Sequence, residues 1–94
     1  MNTKIIFAPG VDEAILNYLD FVDVDDIPQT LHFINEAQKK LANTLSMFPT
    51  GGPKFQNNTR FYPTAKGYVF IYEYDSEVNV VNVLDLQMPG RNWR

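Results

Sequence analysis

The hydrophobic positions of this chain change their period twice. Lys4-Ile5-Ile6-Phe7-Ala8 is a short run of strand-forming residues closed by Pro9-Gly10, which predicts a first strand. From Val11 the spacing becomes helical. Val11, Ile15, Leu16, Leu19 and Val22 form one stripe and predict a helix over roughly 11–21. Asp12 and Glu13 fall in its first turn, where the helix dipole favours carboxylates. A second stripe, Leu31, Ile34, Leu41, Leu45 and Phe48 with Ala37 and Ala42 between them, predicts a helix over about 28–47. The short connection implies that the two helices form an antiparallel hairpin.

Beyond Pro49-Thr50-Gly51-Gly52-Pro53, which ends the second helix, the period falls to two. Residues 54–59 read as irregular, and Thr59-Arg60-Phe61-Tyr62 as a short strand ended by Pro63. Thr64-Ala65-Lys66-Gly67 turns the chain into its most strongly patterned stretch, 67–86. There, two runs of β-branched and aromatic residues flank Asp75-Ser76-Glu77, the mark of an antiparallel hairpin. Alternation places Tyr68, Phe70, Tyr72 and Tyr74 on one face as core, and Val69, Ile71 and Glu73 on the other. With both faces largely apolar, this strand belongs in the middle of a sheet covered by helices on at least one side. The order β-α-α-β-β-β predicts an α+β fold: an antiparallel sheet of about four strands packed by an N-terminal helical hairpin.

Composition narrows the setting. At 94 residues and 45% hydrophobic, residues 1–94 suffice for one domain with one core. The absence of cysteine excludes disulfides and thiolate metal sites and fits a reducing compartment. No apolar run reaches the roughly 20 residues of a membrane span, and the first ten residues lack a signal-peptide core, so the expected location is the cytoplasm. The net charge of −3 is uneven. Residues 1–50 carry three Lys against seven Asp or Glu; residues 51–94 carry five Lys or Arg against four Asp or Glu. A small basic patch is therefore available only in the second half, and the charge as a whole does not make a polyanion binder.

The individual polar features read mostly as structure. Asp23-Val24-Asp25-Asp26 is an acidic turn with Asp26 as helix N-cap and Gln29 completing a capping box; its spacing matches no calcium loop. His32, the sole histidine, reads as a partly exposed structural residue, so no metal site is expected. Gly51-Gly52 lacks the Gly-Lys-Ser/Thr that would make a phosphate cradle, and reads as a turn. Arg60 has a structural reading as a partner of Glu73 or Asp85.

The order of these pieces resembles the RelE/ParE superfamily of bacterial type II toxins. The first strand ends in Phe7-Ala8-Pro9; the helical region closes in Leu45-Ser46-Met47-Phe48-Pro49-Thr50-Gly51; Arg60 precedes Tyr68-Val69-Phe70-Ile71-Tyr72 and Val80-Val81-Asn82-Val83-Leu84; and the tail holds Arg91-Asn92-Trp93. Where the family often carries His after the last strand, this chain has Asp85, and its charge is acidic where many members are basic. The resemblance is nearer to ParE-like members. It implies a toxin that inhibits DNA gyrase by protein–protein binding, needs no cofactor, and is neutralised by a cognate antitoxin. The alternatives it implies are a RelE-like endoribonuclease acting on messenger RNA in the ribosome, and a non-toxic binding module of the same fold.

These readings assign residues to roles. RNA cleavage needs a base, an acid and cations for the developing phosphate charge. Arg60 and Arg91 suit bidentate phosphate binding, Lys54 a point charge, and Asp85 a base. Arg60, Arg91, Trp93 and Arg94 are the candidates for target binding, Trp93 because a terminal aromatic either docks on its own domain or meets a partner. Leu16 and Leu19 are the candidates for antitoxin binding, which makes a hetero-oligomer with the antitoxin, or a homodimer, the expected assembly.

Overall fold

A computed structural model describes residues 3–88. Its elements are β1 (Lys4–Phe7), α1 (Pro9–Leu19), α2 (Ile27–Met47), β2 (Thr59–Pro63), β3 (Val69–Asp75) and β4 (Val80–Gln87). The strands form one sheet in the order β1-β4-β3-β2. β2, β3 and β4 are antiparallel to one another, as the hairpin pattern predicts. β1 is the exception: it joins β4 in parallel, Lys4 opposite Val80 through Phe7 opposite Val83. A parallel neighbour requires a long crossover, and the two helices are part of it.

The aromatic alternation of β3 sorts its faces as expected. Phe70 and Tyr72 are fully buried and Tyr68 nearly so, in one cluster with Val11, Ile34, Leu41 and Leu45 from the helices and Val81 and Val83 from β4. Phe7 of β1 meets Phe70 edge-on, with ring centroids 6.5 Å apart. Complete burial of a side chain of this size contributes about 1.5–3 kcal/mol. Val69 and Ile71, on the opposite face, are also buried, which makes β3 apolar on both sides. Both helices contribute to the one core, so they cover the same face of the sheet.

The helix ends depart from the sequence expectation. α1 starts at Pro9 rather than Val11, because a proline at the first helical positions gives up no needed N–H. It stops at Leu19 in a tightened turn, with Phe21 N–H donating to the Tyr18 carbonyl at 2.9 Å and Val22 N–H to that of Leu19 at 3.2 Å. Asp26 does not act as the expected side-chain cap of α2, and no capping box forms. It sits at φ −96°, ψ −8° in a 3-10 turn, Val24–Asp26, that feeds directly into the helix, and its carboxylate makes no cap hydrogen bond.

A close approach at Gly10 and a set of hydrogen bonds at Thr3 hold α1 and β1 in place. β4 carries a bulge at Leu84, where the pairing shifts from Ile71–Asp85 to Tyr72–Val83. A Cβ on Gly10 would lie 2.6 Å from the Leu84 carbonyl oxygen, so only glycine lets α1 sit this close to the bulge. At the molecule's other end Thr3 ties β1 down. Its N–H donates to the Ser46 carbonyl at 3.0 Å and its hydroxyl to Asn79 Oδ1 at 2.9 Å, an oxygen that also accepts from the Tyr74 hydroxyl at 2.8 Å.

Candidate functional site

The Gly51-Gly52 loop is more than a turn. Gly52 is buried, its N–H donates to the Tyr72 hydroxyl at 2.9 Å, and its carbonyl accepts from the Arg60 guanidinium at 2.8 Å. A Cβ there would meet the Phe61 carbonyl oxygen at 2.5 Å and the Tyr72 hydroxyl at 2.6 Å. Burial pushes the Tyr72 pKa up, partly offset by the Gly52 N–H and the nearby Arg60 charge. The loop is thereby fastened to the floor of the sheet through one glycine.

Residues 54–58 hold no helix or strand, as expected, but they are tied into a hydrogen-bonded turn. Lys54 forms an antiparallel bridge with Arg60, Phe55 N–H donates to the Thr59 carbonyl at 2.9 Å, and Phe61 N–H to that of Pro53 at 3.0 Å. Asn57, at φ 57°, supplies the left-handed turn residue. Phe55 packs edge-on against Phe61 with centroids 6.0 Å apart. The bridge sets Lys54 and Arg60 side by side. With Thr50, Asn57, Asn58, Thr59 and Tyr74 they line a cleft of about 340 Å³ whose walls carry two cations and no carboxylate. The sequence placed both cations in a candidate set; the local β pairing that makes them neighbours had no signal in it.

Asp85 does not join them. Without the Leu84 bulge the hairpin register would pair Asp85 with Phe70, on the core face. The bulge pairs it with Ile71 instead, on the face opposite Arg60, which pairs with Tyr72. Both Asp85 oxygens are engaged locally, one accepting from Leu86 N–H at 2.8 Å and the other from the Gln87 side-chain amide at 2.9 Å. The ion pair of Arg60 with Glu73 or Asp85 is likewise absent: Glu73 faces Thr59 on the opposite side of the sheet, and the Arg60 guanidinium is held by the Gly52 carbonyl. Among the described residues the one ion pair is Lys39 with Glu36, 3.6 Å apart on the surface of α2. Arg91, Trp93 and Arg94 lie outside the described residues.

Leu16 is 65% exposed on α1, whereas Leu19 is half-buried. His32 is exposed on α2. Among the described residues no three His, Cys, Asp or Glu side chains converge as a metal-binding group, Asp23, Asp25 and Asp26 included. No helix of the described chain is long and apolar enough to cross a membrane.

No protein-family model matches the sequence, and no curated protein matches it. Solved structures do. A chain of the RelBE2 toxin–antitoxin complex of Mycobacterium tuberculosis is similar at 15% identity and a TM-score of 0.60, over 94% of this chain and 99% of that one. A chain of the intact RelBE toxin–antitoxin complex of E. coli gives 17% identity and a TM-score of 0.56, over 95% and 99%. A chain of the archaeal RelE–RelB complex of Pyrococcus horikoshii gives 17% and 0.50, over 98% and 100%. At these identities the likeness is one of architecture, and it spans nearly the whole chain: this protein has the RelE-type toxin fold.

Proposed function

We propose that this chain is the toxin of a type II toxin–antitoxin pair and that it acts by gripping a protein target, not by cutting RNA. The fold supports the first part. The separation of Asp85 from the Lys54–Arg60 cleft carries the second. A cleaving site needs a base within hydrogen-bond reach of the 2′-hydroxyl and cations on the same phosphate. Here the carboxylate candidate faces away from the cations, on the other side of the sheet, and Arg60 already spends a donor on the Gly52 carbonyl. DNA gyrase, the target implied by the ParE-like resemblance, is the reading to test first. A cognate antitoxin is the expected neutralising partner, with the exposed Leu16 on α1 as part of its seat.

Induction of the chain alone in growing bacteria is expected to arrest growth with double-strand DNA breaks and intact messenger RNA. Co-expression of the antitoxin, encoded by a neighbouring gene, is expected to restore growth. A second reading, ribosome-dependent messenger RNA cleavage, draws on the RelBE complexes among the structural neighbours and on the cationic cleft. It predicts cut transcripts on induction, abolished by Arg60→Ala or Arg91→Ala. Induction that yields neither breaks nor cut transcripts refutes both and leaves a non-toxic binding module.

A further inference from the structure

A second cavity, of about 390 Å³, opens between the end of α1, the start of α2 and the turn before β3. Four aromatic rings line it, and three of them pack against one another. Tyr68 stands edge-on to Tyr18 with centroids 6.0 Å apart, and Phe33 lies 5.2 Å from Tyr68 at 39°. The Tyr68 side chain is buried, and its ring stands at 88° to that of Tyr18. The protein's own cation already sits against this box: Lys66 Nζ lies 4.8 Å from the Phe33 ring centroid. It does so from a left-handed backbone, φ 65°, a conformation uncommon for a residue with a Cβ. Asp23 and Asp26 line the same cavity, and neither has an ion-pair partner among the described residues.

We infer that this aromatic box is a binding site for the side chain of an arginine or lysine presented by a partner polypeptide, with Lys66 as the internal group that the incoming cation displaces. Ring faces attract cations through their quadrupole, and arginine stacks on them best among side chains. The two carboxylates supply the complementary charge. The rim of the cavity decides between a polypeptide and a free small cation. Phe21, which lines the cavity and is 76% exposed, offers apolar surface for residues flanking the cation, which a small ammonium ion would not use. This site is separate from the Lys54–Arg60 cleft, whose charge is opposite, and it stands whatever the target of the toxin.

The test uses the full chain and three probes: the capped peptide Ala-Leu-Arg-Leu-Ala, the same peptide with neutral citrulline for arginine, and tetramethylammonium. Aromatic NMR shifts of Tyr18, Phe33 and Tyr68 report binding. The arginine peptide is expected to bind saturably, with citrulline weakening it about two- to fivefold and Asp26→Asn, a surface change that removes no helix cap, weakening it by a similar factor. Lys66→Met, which removes the internal cation, is expected to tighten binding. Equal affinity of the arginine and citrulline peptides overturns the proposal, as do shifts that map away from the three rings. Tetramethylammonium binding as tightly as the arginine peptide overturns the assignment to a polypeptide.

Discussion

Substituting Gly52 by alanine probes the fastening of the 49–53 loop most sharply. The new methyl would stand 2.5 Å from the backbone carbonyl oxygen of Phe61 in β2, and 2.6 Å from the hydroxyl of Tyr72, whose side chain is buried. Neither neighbour is the loose end of a flexible side chain, so the loop itself must move. Overpacking of this kind costs about 1–3 kcal/mol. Displacing the loop also lengthens the Gly52 N–H to Tyr72 hydroxyl bond, worth about 0.5–1.5 kcal/mol. Taken together, Gly52→Ala is expected to lose about 1.5–4.5 kcal/mol. For a chain of this size each kcal/mol moves Tm by about 4–8 °C, so the expected drop is at least about 6 °C. Gly51→Ala is the control. Its Cβ would meet the Phe48 carbonyl at 3.1 Å and Phe48 Cβ at 3.5 Å, contacts that a few tenths of an ångström relieve, and its Tm should stay within about 2 °C of the parent. Differential scanning calorimetry of the two variants decides the matter. Equal Tm values for Gly51→Ala and Gly52→Ala would refute the account of the loop.

Other outcomes follow from the same geometry. Tyr68 has its pKa pushed up from 10.0 to about 12, chiefly by burial and further by the neighbouring Tyr18. A group raised in the folded state holds its proton while the unfolded chain loses it, so its contribution is complete below pH 10 and lost as pH rises from 10 to about 12. Urea titrations across that range should show stability falling, and Tyr68→Phe should flatten the fall. Asp26→Ala should change stability by less than about 0.5 kcal/mol in urea denaturation, where a working N-cap would cost about 1 kcal/mol, because its carboxylate caps nothing. Leu16→Lys, at an exposed site, should leave Tm unchanged and weaken antitoxin capture in a pull-down; unchanged capture would remove Leu16 from the proposed seat.

What the sequence made legible was the part governed by period. Alternating aromatics along 68–74 located the central strand and its core face, and the helical stripes located α1 and α2 to within two residues. What it hid depends on contacts between distant segments. The parallel pairing of β1 with β4 has no local signature, since a strand's own residues do not say which neighbour it joins or in which direction. The Leu84 bulge is one residue in length, yet it turns Asp85 from the core face to the opposite one and so dissolves the expected grouping with Arg60. Asp26 had the right residue type for a cap but the wrong backbone, because the preceding turn is already helical. Gly52 read as one half of a turn, and only the Tyr72 hydroxyl and Phe61 carbonyl packed beside it show why its side chain must be a hydrogen.

The most direct measurement places the purified chain in two parallel reactions: DNA gyrase with relaxed plasmid and ATP, and translating ribosomes programmed with a defined messenger RNA. The account predicts that plasmid supercoiling is blocked in the first and that the messenger RNA stays whole in the second. Unimpaired supercoiling together with messenger RNA cut at discrete sites would contradict it.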